Sequence, residues 1–233
     1  MRFSFVLLPI MNITTIKISD TVLYKNNQVI AFNKPPSLSV QPDKTEEKSL
    51  LDLGEIYCKS RLQVLHRIDR PASGIVLFGK TPKATKVLNE QFQNRSIKKT
   101  YLAVVKTAPA EREGKLVHYL TKNSKYNKSY CSLEPKKGAK EAVLSYKVVA
   151  NSDNYHLLEI ELATGRHHQI RAQLAAIGSP IKGDVKYGAK RGNKDRSIHL
   201  HAWKLSFKHP INNQLVELEA EVPDEVVWRS MKY

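Results

Sequence analysis

Residues 65–79 read LHRIDRPASGIVLFG. Within them Gly74 to Gly79, GIVLFG, is a continuous apolar run bounded by glycines. That is the pattern of a strand buried on both faces. Just ahead of it Asp69 stands between Arg67 and Arg70, with His66 before them. A loop at the mouth of a buried strand is a place where a rigid scaffold presents a polar side chain to a cleft. An acid set among bases is either half of a structural ion pair or a carboxylate held ready for chemistry. On the residues alone both readings stand.

Outward from this stretch, Thr81-Pro82 starts a helix, with Thr81 as N-cap and Pro82 at the first helical position. Ala84, Leu88 and Phe92 form its apolar stripe, which carries it to about Arg95. Upstream, Val22 to Phe32 reads as two short strands around the turn pair Asn26-Asn27, and Lys34-Pro35-Pro36 ends them. Leu50, Leu53 and Tyr57 have helical spacing, which predicts a helix near 47–60. Downstream, Tyr101–Val105, Ala142–Val149, His156–Leu162, Leu200–Phe207 and Leu215–Val222 read as strands. In the last of these Val216, Leu218, Ala220 and Val222 alternate with Glu217, Glu219 and Glu221. Thr164 is expected to cap a helix over His167–Ile177, closed by Gly178 at C′. Strands with two or three inserted helices predict an α+β domain on a mixed, largely antiparallel sheet, not a doubly wound fold.

The chain has 233 residues, 41 % of them hydrophobic, enough for a core and too many for a chain disordered throughout. Lys and Arg number 38 against 22 Asp and Glu, a net charge of +16. A chain this basic points to a polyanion, with nucleic acid first and an anionic membrane second. No amphipathic basic helix and no long apolar run supports the membrane. Two cysteines, Cys58 and Cys131, make neither a disulfide framework nor a metal knuckle, which suits a reducing, cytoplasmic setting. The opening MRFSFVLLPIM lacks a small-residue cleavage site. Residues 1–20 are therefore expected to be a loose extension, or to include a start set upstream of the true one at Met11, ahead of a single domain over 21–233.

A second constellation is Leu162 to Gly188, LATGRHHQIRAQLAAIGSPIKGDVKYG. Arg166, His167, His168, Gln169 and Arg171 crowd the expected first turns of a helix whose Ile170, Leu174 and Ile177 face the core. Arg171 borders that stripe, and a half-buried guanidinium requires an anion, either a phosphate or a carboxylate such as Asp69. Lys122 to Lys140 holds six lysines with Tyr126 and Tyr130, a basic loop or hairpin suited to phosphate. His167-His168 and His199-x-His201 match no metal-ligand spacing, so no metal is expected. No phosphate-binding glycine motif and no nucleophile elbow is present. As a second acid for a glycosidase, Asp184 in Lys-Gly-Asp is the sole tempting residue.

These residues resemble the RluA type of pseudouridine synthase, over roughly residues 20 to 223. Asn33-Lys34-Pro35 to Pro42 looks like the family's NKP-x-x-x-x-V-x-P, and HRIDRPASG at 66–74 like its HRLDR-x-TSG. Lys98-Lys99-Thr100-Tyr101 is similar to its K-x-Y strand. TGRHHQIRAQL and GSPIKGDVKYG resemble TGR-x-HQIR-x-H-L and G-x-P-I-x-GD-x-x-YG, and His201-Ala202 to His209-Pro210 resembles the closing L-H-A-x-x-L-x-F-x-HP. Ile68, Ala72, Ser37 and Gln173 depart from the usual Leu, Thr, Gly and His, and none of these removes a catalytic group.

The resemblance implies an RNA isomerase that needs no cofactor. Its catalytic residue would be Asp69. Arg171 would hold Asp69 ionised, and Tyr101 would stack on a flipped base and help take its C5 proton. Arg67 would fill the gap left by the extruded uridine or hold its phosphate. Arg70, Arg166, His168, Gln169 and Ile170 complete the expected substrate site. Lys122, Lys125, Lys128, Lys136, Lys137, Lys186, Lys190 and Arg191 are the candidate RNA contacts. The expected partner is a stem-loop of ribosomal or transfer RNA, the expected state a monomer, and the small S4-type domain of many relatives is expected to be missing. The alternative is a basic RNA-binding protein of the same fold without activity.

Overall fold

The computed structural model describes residues 17–43, 45 and 47–231. The expectation for residues 1–16 lies outside them. A 3-10 turn at Ile18–Thr21 opens the described chain, and Ile18 packs against the core.

The strands are β1 (Val22–Lys25), β2 (Val29–Lys34), β3 (Gln63–Val64), β4 (Ser73–Gly79), β5 (Lys98–Val105), β6 (Glu113–Asn123), β7 (Lys128–Ser132), β8 (Lys140–Asn151), β9 (His156–Leu162), β10 (Leu200–Lys208) and β11 (Leu215–Glu219). The helices are α1 (Leu50–Cys58), α2 (Pro82–Gln93), α3 (Gln169–Ala176) and α4 (Val226–Ser230). One sheet runs in the order β1-β2-β4-β10-β5-β9-β8-β6-β7, with β11 on β10 and β3 on β4. Among the described residues every strand pair is antiparallel except β4 with β10. This is the α+β class, with the mixed, largely antiparallel sheet that the strand pattern predicts.

β4 is the hub, and all seven of its residues are buried. Val76 and Phe78 face one side of the sheet with Ile30 and Phe32, while Ile75 and Leu77 face the other with Leu88 of α2. Both sides are covered, which is why the run is apolar without alternation. Gly74 has φ +112 where β4 meets β10 in parallel, and a Cβ there would lie 2.3 Å from the Ala202 carbonyl oxygen. Only glycine suits that contact. At α2 the Thr81 side chain accepts from the Ala84 N–H, as the cap reading requires.

Three expectations need correction. The helix after Thr164 begins at Gln169, and its N-cap is His168, in a left-handed conformation with no side-chain cap bond. Thr164 instead accepts from the Val143 N–H and donates to Gln169 Oε1. The Thr-Gly pair thus closes a loop against β8, and Arg166 to His168 precede the helix. Gly178, with φ +78, does end it. The last strand stops at Glu219: the Ala220 N–H still bonds the Trp203 carbonyl of β10, but the Ala220 carbonyl is taken by the buried His201 ring at 3.1 Å. The hairpin β6–β7 was not expected as far back as Glu113. Leu116, His118 and Leu120 point inward, but Val117 and Tyr119 put apolar residues on the outer face too and hide the period of two.

Candidate active site

The loop 65–72 between β3 and β4 carries Asp69 and is held from beneath. Lys34, fully buried, donates through Nζ to the carbonyls of Pro35 (2.8 Å), Leu38 (2.8 Å), Arg70 (3.1 Å) and Ala72 (2.6 Å). Burial pushes its ammonium down to about 7, against the pull of Asp69. The Ala72 N–H bonds back to the Asp69 carbonyl (3.0 Å), and the Ile198 N–H bonds to the Pro71 carbonyl (3.1 Å). These bonds leave the Asp69 side chain facing a cleft, 22 % exposed.

Across the cleft Arg171, on α3, is almost fully buried. Its Nη1 donates to Asp69 Oδ2 at 3.0 Å. Its Nε and Nη2 grip Asp184 at 2.7 and 2.9 Å, a two-bond fork on a carboxylate that is itself buried. The Tyr187 ring lies 5.0 Å under the guanidinium. Burial works against this cation, but the bonds to Asp184 and the charge of Asp69 outweigh it and hold it above its usual range. Of the two partners open to Arg171 on sequence, the carboxylate is the one present, and Asp184 is a second that sequence reasoning missed. Asp184 sits 13 positions from Arg171. Its presence in the Gly-Asp motif was the one available signal.

Tyr101 of β5 projects on the same side of the sheet as Ala103 and Val105, toward α3, and lines the cleft. Burial, then the charge of Asp69, raises its phenol well above the usual value, so it stays protonated at neutral pH. His168 is pushed down to about 2 by burial and by Arg171, so its ring is neutral.

The cleft has a volume of about 960 Å³, and Arg67, Asp69, Tyr101, Lys122, Arg166, His167, His168, Ile170, Arg171 and Lys186 all line it. Arg67 is exposed at this lining. Arg166 donates through Nε to the Glu141 carbonyl (2.9 Å). Two expected residues also border the cleft with side chains engaged elsewhere. Arg70 bonds Ser37, Asp43, Thr45 and Glu47. Gln169 accepts from Thr164 and the Arg166 N–H and donates to the Val143 carbonyl, bracing the loop.

Of the expected RNA contacts, Lys122 and Lys186 reach the cleft, and Arg95 and Lys99, which were not expected, line it too. Lys125 stands over the Tyr126 ring and Lys128 over Tyr187, on the hairpin beside it. Lys136, Lys137, Lys190 and Arg191 are exposed and do not line it. His199 and His201 point elsewhere: His201 is shared between Ser73 Oγ and the Ala220 carbonyl, and His199 between Asn193 and Glu225.

A carboxylate fixed by an arginine on the floor of an open, cation-rimmed cleft, beside an aromatic face, suits an anionic polymer with one unit turned inward. A sequence model described as RNA pseudouridylate synthase matches residues 28–176. The chain is 30 % identical over 214 residues to the RNA pseudouridine synthase YlyB of Bacillus subtilis, covering 88 % of this chain and 70 % of that one. It is 30 % identical over 223 residues to ribosomal large subunit pseudouridine synthase D of Zymomonas mobilis, with the same two coverages, 88 % and 70 %. It is 29 % identical over 232 residues to tRNA pseudouridine synthase C of Vibrio parahaemolyticus, covering 90 % and 92 %. The solved structure of human RNA pseudouridylate synthase domain containing 4 superposes with a TM-score of 0.75 at 22 % identity, covering 89 % of this chain and 90 % of that one, which is a likeness of fold. The match over more than half of the chain, together with these relatives, shows that the chain belongs to the RNA pseudouridine synthase family of isomerases.

Proposed function

We propose that this chain isomerises a uridine in a structured ribosomal or transfer RNA to pseudouridine, with Asp69 as the catalytic carboxylate. The observation that carries this is the Asp69–Arg171 pair, one oxygen bonded and the other facing the cleft beside Tyr101. The reaction breaks N1–C1′, turns the uracil and forms C5–C1′, and the C5 proton leaves as N1 gains one. No electron is transferred and no water is consumed. A stacked uridine hides both C1′ and C5, so the base must leave the helix, which is easiest from a loop.

Arg171, buried and itself anchored by Asp184, holds the Asp69 carboxylate in one orientation, aimed at the sugar. Tyr101 offers a stacking face for the uracil. It can take a proton only by passing on its own, because its phenol stays protonated. Arg67 at the cleft surface stands where it can enter the space of the extruded base or meet its phosphate. Lys122, Lys186 and the lysines of the β6–β7 hairpin contact the flanking backbone. The relatives' names divide between ribosomal and transfer RNA, so both are carried into the test.

The test is pseudouridine mapping of total RNA by carbodiimide labelling and reverse-transcriptase stops, from cells with and without the gene. A stop that disappears with the gene and returns with the wild type but not with Asp69→Asn establishes the activity and its target. If no ribosomal or transfer RNA site changes, the reading of an RNA-binding protein of this fold replaces it.

A further inference from the structure

We propose that His168 is a positioning residue for Asp69: Tyr187 holds it in the tautomer protonated at Nε2, and that N–H points at Asp69 Oδ1, the oxygen Arg171 leaves open. This deepens the reading of Asp69 as the catalytic carboxylate and rests on it.

The protons are fixed along one chain of bonds. The Tyr187 hydroxyl accepts the Ser129 backbone N–H at 2.7 Å. Burial pushes the Tyr187 phenol up to about 12, so the phenol keeps its single proton at neutral pH. His168 Nδ1 lies 3.0 Å away and receives it. An imidazole held neutral has one N–H, and with Nδ1 accepting, that N–H is on Nε2. Nε2 lies 3.9 Å from Asp69 Oδ1, while Arg171 holds Oδ2 at 3.0 Å.

The ring is held in place on all sides. It stacks on His167 with centroids 3.8 Å apart, and His167 is pinned by Ser129 Oγ and by Asn127 Oδ1. The His168 backbone has φ 52, a left-handed conformation that is strained in a non-glycine residue. Strain of this kind persists where the surroundings over-determine it, and here it sets the ring against the carboxylate.

At 3.9 Å no hydrogen bond forms, so Oδ1 keeps a lone pair for the sugar. The N–H nevertheless limits the rotation of the carboxylate and sets a positive dipole against Oδ1. The opposite tautomer would turn a nitrogen lone pair toward Oδ1 and repel it. Tautomer choice is therefore part of how Asp69 is aimed.

Two measurements test this. The first is the ¹⁵N spectrum of protein labelled in its histidine rings, with the His168 signals identified by their loss in His168→Gln. Wild type should show a protonated Nε2 and a bare Nδ1, and Tyr187→Phe should convert this to a mixture. The second is tritium release from [5-³H]uridine-labelled total ribosomal and transfer RNA of cells lacking the gene. Tyr187→Phe and His168→Asn should lower kcat about ten- to a hundredfold with KM unchanged, the usual cost of losing an orienting partner. His168→Gln, whose amide N–H falls near Nε2, should recover most of the rate. Thermal melts accompany each variant, and Tyr187→Phe carries the test if His168→Gln does not fold. A wild type protonated at Nδ1, or full activity in both Tyr187→Phe and His168→Asn, overturns this inference alone. A wild type that releases no tritium overturns the assignment of the reaction, and this inference with it.

Discussion

Asp69 is one residue placed by three others. Lys34 ties two carbonyls of its loop, Arg70 and Ala72, to those of Pro35 and Leu38, Arg171 takes one of its oxygens, and Asp184 anchors Arg171. Asp69→Asn keeps size and shape but removes the charge. Isomerisation should fall by at least about a thousandfold while RNA affinity changes little, read by tritium release beside filter binding. Lys34→Met leaves buried carbonyls without a donor and should cost about 1–3 kcal/mol in urea unfolding, with a parallel loss of rate because the Asp69 loop loosens. Unchanged stability would mean that water replaces the ammonium. The acid between two bases and the arginine beside an apolar stripe were legible in the sequence, because each is a local pattern. Asp184 as the second partner of Arg171 was not, because nothing local distinguishes a buried acid from an exposed one.

At the scale of elements, β4 decides where the loop ends and the site begins. Gly74→Ala would set a Cβ 2.3 Å from the Ala202 carbonyl oxygen at a left-handed φ. It should destabilise by at least about 3 kcal/mol, seen as a lower melting temperature or insoluble protein. A normal melting curve would show that β10 can move aside. The β6–β7 hairpin carries the test of RNA contact. Lys122→Glu together with Lys128→Glu should weaken binding to all RNAs alike and lower the salt slope by roughly one unit for each phosphate no longer neutralised. Unchanged affinity and slope would reduce these lysines to a solvated edge. Strand β4 and helix α2 were legible because an apolar run and a Thr-Pro cap are complete signals in themselves. The start of α3 was not, because Thr164 has two possible uses, and its bonds to Val143 and Gln169, on other segments, select the second.

For the whole molecule, stability should be acid-sensitive for a countable reason. His66 is pushed down to about 3, His201 to about 4 and His168 to about 2, in each case chiefly by burial. In the unfolded chain each titrates near 6.5. Between that value and about 4 the unfolded state binds protons that the folded state refuses. Stability therefore falls as pH falls, by about 1.4 kcal/mol per pH unit for each histidine. Urea unfolding at pH 7, 6 and 5 measures the slope. His66→Gln, whose amide oxygen can still accept the Leu77 N–H, should flatten it by one histidine's share. A slope unaltered by that change would place the sensitivity outside His66. The class of fold, the hub strand, the basic character and the ordered motifs were legible along the chain, since apolar period, capping chemistry and charge are local properties of it. That Arg171 is held by Asp184 as well as Asp69, that His168 brings its Nε2 within 3.9 Å of Asp69, and which lysines face the cleft became visible only in the folded chain. Each of these depends on where segments far apart in the chain come to rest, and the pairing of β4, β5 and β10 sets that.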